Sequence, residues 1–135
     1  MSLEANNALG RGFFEAQDRL RGGPDPDLCA PAYTAYIGDN PPMTRVQHEG
    51  FAKAFYAAFP DLGHTIEESL AEADKVAVRL TIRGTHTADF MGIPPTGRKI
   101  EIGLIVILRV ADGKVAELRA QFDQMGMMRQ LGVVD

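Results

Sequence analysis

The alternation of apolar and polar residues near the end of the chain predicts a β-hairpin over residues 98–123. Its first strand, residues 100–110, begins with alternation and then becomes apolar at successive positions, which is typical of a strand buried on both faces. The chain turns over at Ala111-Asp112-Gly113-Lys114, where Asp-Gly tolerates the positive φ angles of a tight hairpin turn. We therefore expect two antiparallel strands joined by this turn.

The second strand of the hairpin separates its polar and apolar residues onto opposite faces. Because its partner is apolar on both faces, a flat sheet with one solvated face does not fit. We therefore expect a sheet curled around an internal pocket, lined by Asp123 and Gln121, with helices covering the convex side. The mostly polar face holds Val115, Glu117, Arg119, Gln121 and Asp123, and the apolar face holds Ala116, Leu118, Ala120 and Phe122.

Two amphipathic helices are predicted before these strands. Residues 3–21 carry an apolar stripe at intervals of three and four, and Gly22-Gly23-Pro24 ends that helix. Thr44 and Gln47 form a capping box that begins a second helix, which ends at Pro60-Asp61. Between the helices we expect a short helix near residues 27–30, an irregular or strand-like segment at 33–37 and a loop at 38–42. The predicted buried stripe of the second helix is Phe51, Ala54, Phe55, Ala58 and Phe59.

The chain after Gly63 has the pattern of β-structure. Residues 65–73 form a moderate strand pattern, Asp74-Lys75 a tight turn, and residues 76–83 alternate cleanly. The connection at 84–97 is long and rich in apolar residues, so we expect it to fold over the pocket. Helices followed by a meander of about four strands predict one α+β domain over residues 1–135.

Composition and charge narrow the range of functions. A net charge of −4 and a pI near 5.3 provide no basic surface, so nucleic acid is not an expected partner. No apolar run has the roughly 20 residues of a membrane span, so no membrane partner is expected either. Met1-Ser2-Leu3 is typical of an expression-vector remnant, and no secretory signal follows it. The single cysteine, Cys29, suits a reducing cytoplasm, and the scattered histidines have no metal-ligand spacing.

A series of short motifs follows in order between residues 51 and 132. They are Phe59-Pro60-Asp61, Ala71-Glu72-Ala73-Asp74-Lys75-Val76-Ala77-Val78-Arg79, Gly84-Thr85-His86-Thr87, Phe90, Gly92, Pro94-Pro95-Thr96-Gly97, Asp112-Gly113-Lys114, Phe122-Asp123 and Gln130-Leu131-Gly132. In order and spacing this series resembles the SnoaL-like polyketide cyclases. The N-terminal third resembles that family only in its pattern.

This resemblance implies both a fold and an activity. The fold is a cone-shaped α+β barrel of the nuclear transport factor and ketosteroid isomerase type, a curved, mostly antiparallel sheet with N-terminal helices packed against it. The assembly implied is a homodimer or homotetramer. The activity implied is a cofactor-free intramolecular aldol condensation that closes a ring on a polyketide methyl ester, with a small hydrophobic molecule as the partner. Asp123 stands at the position of the family's acid/base.

The sequence also departs from that family. Tyr33 and Tyr36 stand where many relatives have a histidine, and residues 117–122 lack the histidine and tryptophan that are common there. These departures concern the substrate more than the fold.

Asp123 is the predicted catalytic base. A carboxylate removes a proton next to a carbonyl only when apolar surroundings raise its pKa and the enolate is stabilised. Phe122 and the methionines Met125, Met127 and Met128 offer such surroundings. The alternative interpretation is an N-cap, because residues 126–130 have the pattern of a short helix that an aspartate begins well.

Further residues are candidates for contacting the substrate, each with a structural alternative. The histidine among them either polarises a carbonyl or only hydrogen-bonds at a strand end. The glutamine and arginine either hold an oxyanion or form a solvated edge, and the tyrosines either line the pocket or fill the core. The candidates are His86, Gln121, Arg119, Tyr33, Tyr36, Phe90 and Met91.

Three classes of function are open at this point. The first is a cyclase or isomerase that abstracts a proton with Asp123. The second is a hydrolase or dehydratase in which Asp123 and Arg119 activate water, with Glu101 or Glu117 as the second carboxylate. The third is a small-molecule binding protein with a catalytically silent pocket.

Overall fold

The computed structural model describes residues 2–134, which form one six-stranded sheet with helices packed against it. Within this range the helices are α1 (Leu3–Leu20), α2 (Arg45–Ala58) and α3 (Gln124–Leu131), and Pro26–Leu28 forms a 3₁₀ turn. The strands are β1 (Cys29–Ile37), β2 (Met43–Thr44), β3 (Gly63–Glu72), β4 (Lys75–Thr85), β5 (Lys99–Ala111) and β6 (Lys114–Phe122). Met1, part of the segment interpreted as a vector remnant, lies outside the described residues, while Ser2 caps α1.

The strands lie in the order β2-β1-β6-β5-β4-β3. β1 runs parallel to β6, and every other neighbouring pair among these strands is antiparallel. The predicted α+β class with a mostly antiparallel sheet is therefore confirmed. The sheet is wider than the expected meander of four strands, because the weakly patterned segment at 33–37 belongs to β1 and pairs with β6.

The predicted hairpin between β5 and β6 is confirmed. Asp112 and Gly113 have φ angles of 51° and 75°, as expected for a primed turn. Leu108 lies opposite Leu118 across the pair, so the two strands present matching apolar positions. The turn predicted at Asp74-Lys75 lies one residue earlier, at Ala73-Asp74, since β3 ends at Glu72 and β4 begins at Lys75.

The capping box that begins α2 is also confirmed. The Gln47 backbone N–H donates to Thr44 Oγ1 at 3.2 Å, and the Thr44 N–H donates to Gln47 Oε1 at 2.9 Å. The buried stripe differs from the prediction, because the fully buried positions include His48 and Tyr56, whereas Phe51 and Phe55 are half-buried. The buried face of α2 is therefore partly polar.

The two faces of the sheet have different coverings. The inner face, which includes Val106 and Leu118, packs against α1 and α2. The outer face includes Ile105 and Ile107, whose side chains are 55% and 45% exposed. The predicted burial of β5 on both faces is therefore wrong for the single chain. The helices also lie on the same side as the enclosed space, not on the opposite side as expected.

Candidate active site

A cavity of about 80 Å³ lies between the inner face of the sheet and helices α1 and α2. Its polar lining side chains are Gln17, His48, Tyr56 and His64. The remaining lining is apolar and includes Phe14, Phe51, Phe55, Val106, Leu118 and Phe122. An apolar cavity with a few converging polar groups is the usual form of a small-molecule site.

The cavity is lined by the apolar face of β6, not by its polar face. Leu118 and Phe122 contribute to the walls, whereas Gln121 and Arg119 are exposed on the outer face. The Arg119 guanidinium lies 4.0 Å from the centre of the Tyr36 ring, so both residues belong to the outer face. The expectation that Gln121 lines the pocket is therefore wrong. A face made only of apolar residues gains more from being covered than a face of charged and amide groups.

Asp123 follows β6 and begins α3. Its Oδ1 accepts a hydrogen bond from the Gly126 backbone N–H at 2.8 Å, and the residue is exposed. This is the N-cap arrangement, the alternative interpretation of the sequence. Asp123 does not line the cavity in this conformation, although the preceding residue, Phe122, does. The catalytic role of Asp123 stays a prediction.

His86 lies in the core, away from the cavity. Its ring is fully buried, stacks on Phe59 at 5.2 Å between centres, and accepts a hydrogen bond from the Thr96 backbone N–H through Nδ1 at 3.2 Å. The backbone of His86 also pairs with Arg98 and Gly97. His86 therefore joins the two ends of the connection between β4 and β5. This arrangement matches the alternative interpretation, in which the ring only hydrogen-bonds at a strand end.

That connection does not reach the cavity wall. Phe90 is buried against Phe55 and Phe59, with ring centres 4.8 and 5.6 Å apart, and Phe55 stands between it and the cavity. Met91 is 63% exposed. The expectation that Phe90 and Met91 line the pocket is wrong, because the aromatic residues of α2 already occupy that wall.

Tyr33 contacts the site through His48. Its hydroxyl lies 2.9 Å from His48 Nδ1, and the two rings are parallel with centres 6.0 Å apart. Both residues are buried, and burial lowers the pKa of His48 to about 4. His48 is therefore a neutral imidazole at ordinary pH. In the sequence, His48 is one of three scattered histidines, and no local pattern singles it out.

A second polar cluster on the cavity wall joins α1, α2 and β3. Asp18 Oδ1 accepts hydrogen bonds from the Tyr56 hydroxyl at 2.6 Å and from His64 Nδ1 at 2.7 Å. Asp18 Oδ2 accepts the His64 backbone N–H at 2.8 Å. Burial alone would raise the pKa of Asp18, but hydrogen bonds from His64 and Tyr56 outweigh it and the pKa is lowered. The carboxylate is therefore held in its charged form.

This cluster was not among the sites predicted from the sequence. Asp18 lies four positions after Phe14, so the helical period places it beside the buried side of α1, and that was an available signal. His64 is 46 positions away from Asp18 and faces inward only because it pairs with Ile82 on β4. Nothing local in the sequence indicated that pairing.

Two further features were sought in the part of the chain that the structure describes. Among residues 2–134, no three His, Cys, Asp or Glu side chains are grouped so that they could hold a metal ion. The same part of the chain contains no helix both long and apolar enough to cross a membrane.

Comparisons with known proteins agree with the fold. The crystal structure of AclR, a proposed hydroxylase from Streptomyces galilaeus, superposes with a TM-score of 0.89 at 29% identity, covering 99% of this chain and 100% of AclR. A protein with a ketosteroid isomerase-like fold from Catenulispora acidiphila superposes with a TM-score of 0.70 at 17% identity, covering 87% of this chain and 90% of that one. The expected cone-shaped fold is thereby confirmed.

The sequence relatives include methyl ester cyclases from Streptomyces. Nogalonic acid methyl ester cyclase from Streptomyces nogalater is 30% identical over 108 residues, which cover 79% of this chain and 78% of that enzyme. Aklanonic acid methyl ester cyclase DnrD from Streptomyces peucetius is 34% identical over 76 residues, which cover 56% of this chain and 52% of that enzyme. The match therefore spans about half the length of DnrD. Residues 25–131 match the family model described as SnoaL-like polyketide cyclase, so the chain belongs to the SnoaL-like polyketide cyclase family.

Proposed function

We propose that this protein closes a ring on a polyketide-type carbonyl compound by a cofactor-free intramolecular aldol condensation. The observation that carries the proposal is the apolar cavity, whose few polar groups are fixed by hydrogen bonds. Nogalonic acid methyl ester cyclase, its relative over most of the chain, points to a polyketide methyl ester as the substrate class.

The reaction requires little beyond proton transfer and orientation. A base removes a proton from the carbon next to one carbonyl, and the resulting enolate carbon attacks a second carbonyl of the same molecule. The new alkoxide then takes a proton, so the product is an isomer of the substrate and no redox partner is needed. An apolar cavity favours this chemistry because it excludes water and strengthens the hydrogen bonds that hold the enolate oxygen.

Without a change in shape, the cavity is large enough for only part of a polyketide substrate. Its volume of about 80 Å³ is well below the ~300–1,000 Å³ of sites that enclose a drug-sized ligand. The reacting end of a polycyclic substrate would therefore enter first. We expect the half-buried rings of Phe51 and Phe55 to shift outward to admit the rest.

Asp123 is the candidate base that the family position supplies. To act, its carboxylate would have to leave the Gly126 N–H, which costs about 1 kcal/mol of capping energy. That cost is small, so the capping geometry does not by itself remove Asp123 from the mechanism. The substitution Asp123→Asn, described in the Discussion, decides the point.

A second activity is favoured by one relative. AclR matches the whole chain at nearly the same identity as the cyclases, and it is a proposed hydroxylase. Hydroxylation would add one oxygen atom to the substrate, whereas ring closure adds nothing.

Mass spectrometry and NMR of the product together separate these possibilities. We expect incubation with nogalonic acid methyl ester to yield a product of unchanged mass that contains a new carbon–carbon bond by NMR. A product heavier by one oxygen indicates hydroxylation, and one heavier or lighter by water indicates a hydrolase or dehydratase. Recovery of unchanged ester from a sample in which binding is detected would contradict the proposal and favour a binding protein.

A pair of variants on α2 tests whether the cavity is the site. Ala52 lines the cavity, and Ala57 is exposed on the same helix. We expect Ala52→Leu to fill the cavity and reduce ring closure, while Ala57→Leu leaves it unchanged. Equal activity of the two variants would place the reaction elsewhere.

A further inference from the structure

The strand β5 extends beyond the end of β6, so part of its backbone lies at an edge of the sheet. β5 pairs with β4 from Lys99 to Arg109, whereas its pairing with β6 begins only at Leu104, opposite Phe122. The backbone groups of residues 99–103 that point away from β4 therefore need partners other than a strand.

The helix α3 covers this edge, and one of its side chains takes the place of a strand. Gln130 Oε1 accepts a hydrogen bond from the Glu101 backbone N–H at 2.7 Å, and Gln130 Nε2 donates to the Glu101 carbonyl oxygen at 3.0 Å. A primary amide offers the same donor and acceptor as the backbone of a neighbouring strand. Gln130 is half-buried and lies in the last turn of α3.

The start of α3 is attached to the same strand. The Asp123 backbone N–H, just before the helix, donates to the Gly103 carbonyl oxygen on β5 at 3.1 Å. Between the two attachments, Met127 and Leu131 are each 1% exposed, so the helix also packs on the core. The backbone of β5 therefore holds α3 at both ends, through Asp123 at its start and through Gln130 near its end.

The Asp123 carboxylate rests directly on the helix that Gln130 anchors. Its Oδ1 accepts the Gly126 N–H at 2.8 Å. Its Cγ lies 2.6 Å from the point where a Cβ at position 126 would stand, so the carboxylate occupies the space that a side chain would fill there. The preceding residue, Phe122, lines the cavity. A shift of α3 would therefore move the carboxylate relative to the cavity.

We propose that Gln130 is a positioning residue for the ring closure, which fixes α3 against β5 so that Asp123 stands at a constant place beside the cavity. This role rests on the proposed function, and it deepens that function by adding a residue that acts through the candidate base. Gln130 is not among the residues that line the cavity, so it acts through α3 and not by contact with the substrate. Because Gly103 holds the backbone of Asp123, the carboxylate reaches the substrate by rotation of its side chain.

Loss of this anchor should reduce the rate, because proton transfer depends on exact distances. A base must lie within hydrogen-bond reach of the proton that it removes. Gln130→Met keeps the length and the helix propensity of the side chain but provides no amide for Glu101. We expect this variant to lower kcat of ring closure by about 10- to 10²-fold, the scale of a misplacement of about 1 Å. We expect KM to change little, because the cavity lining is intact.

Gln124→Met is the matched control. Gln124 is exposed at the first position of α3, so the same side-chain exchange is made closer to Asp123 without removing the contact to β5. We expect its kcat to stay close to wild type, and circular dichroism and urea unfolding verify that both variants are folded. An equal loss of kcat in the two methionine variants would overturn the inference.

Combination with Asp123→Asn separates positioning from a general effect on the fold. If Gln130 acts through the base, then Gln130→Met has nothing left to misplace once the base is removed. We expect kcat of the double variant to match that of Asp123→Asn within about twofold. Losses that multiply would show that Gln130 acts independently of Asp123, which would overturn the proposal.

Amide hydrogen exchange tests the anchor without a substrate. In the wild type we expect the N–H groups of Glu101 and Asp123 to exchange slowly, although both residues are exposed. In Gln130→Met we expect both to exchange faster by ~10-fold or more, and the Gly126 amide signal, which reports the carboxylate contact, to shift. Fast exchange at Glu101 in the wild type, or unchanged Asp123 and Gly126 signals in Gln130→Met, would contradict the anchoring role.

The outcomes separate this proposal from the proposed function. Absence of ring closure by a wild-type protein whose Glu101 and Asp123 amides behave as expected would refute the cyclase function and leave the anchor of Asp123 intact. Ring closure that is unaffected by Gln130→Met, or by Asp123→Asn, would keep the cyclase function and overturn the positioning role.

Discussion

The Tyr33 hydroxyl lies 2.9 Å from Nδ1 of His48, and the two buried rings stack in parallel under the cavity. This contact joins a residue of β1 to one of α2, and it orders a histidine whose pKa is lowered by burial to about 4. The pair therefore contributes to stability in a way that depends on pH.

We expect the free energy of unfolding to fall as the pH is lowered from about 6.5 to about 4. In that interval the unfolded chain binds a proton at His48 that the folded chain does not bind, so acid favours the unfolded state. The full difference amounts to roughly 3 kcal/mol for this one group. Urea unfolding at several pH values measures it.

The matched variant is His48→Gln, which keeps an acceptor for Tyr33 but cannot be protonated. We expect the variant to lose that part of the pH dependence while the contribution of the carboxylates remains. The same slope in the variant and the wild type would show that His48 is not the group responsible.

Asp123 provides a second test, in which stability and activity are measured together. Because its carboxylate caps α3, we expect Asp123→Ala to lower the free energy of unfolding by about 1 kcal/mol, whereas Asp123→Asn changes it little. If Asp123 served as the base, Asp123→Asn would also reduce ring closure by at least ~10²-fold. We expect this loss, because Asp123 is the candidate base of the proposed reaction, and ring closure close to wild type would leave Asp123 only its role as a cap.

The buried thiol of Cys29 gives a third prediction. Burial raises its pKa to about 12, so almost no thiolate forms near neutral pH. We expect iodoacetamide to leave the folded protein unlabelled and to label Cys29 rapidly after unfolding in urea. Rapid labelling of the folded protein would contradict this prediction and show that the start of β1, where Cys29 lies, opens readily.

The outer face of the sheet gives a fourth prediction, that the protein forms a homodimer. Ile105, Ile107 and Leu70 are exposed on this face. Leu70 on β3 and Ile107 on β5 both pair with Ala77 on β4, so these three residues lie in one row across the strands. Apolar side chains exposed together on one sheet face are typical of an interface between subunits.

Sedimentation of two lysine variants measures this. We expect Ile107→Lys to shift the protein toward monomer, because it places a charge in the centre of the face. Val46→Lys, at an exposed apolar residue on α2, should leave the assembly unchanged. A wild-type monomer at micromolar concentration would contradict the prediction.

The local features of the fold were predictable from the sequence. The turn at Asp112-Gly113 and the capping box of Thr44 and Gln47 depend on residues only one to three positions apart. The cap formed by Asp123 was also recognisable, as one of two interpretations of the same residue. These features need no information about distant parts of the chain, because their hydrogen bonds close within one turn of backbone.

By itself, the sequence determined that β6 has one apolar and one polar face, because side chains alternate along a strand. Only the tertiary structure decided which face the helices cover, and with it that Phe122 lines the cavity while Gln121 does not. The same packing brings Asp18 to His64 across 46 positions of chain. The physical reason is that burying apolar surface selects the covered face, and the buried polar groups must then find partners among whatever residues the fold brings together.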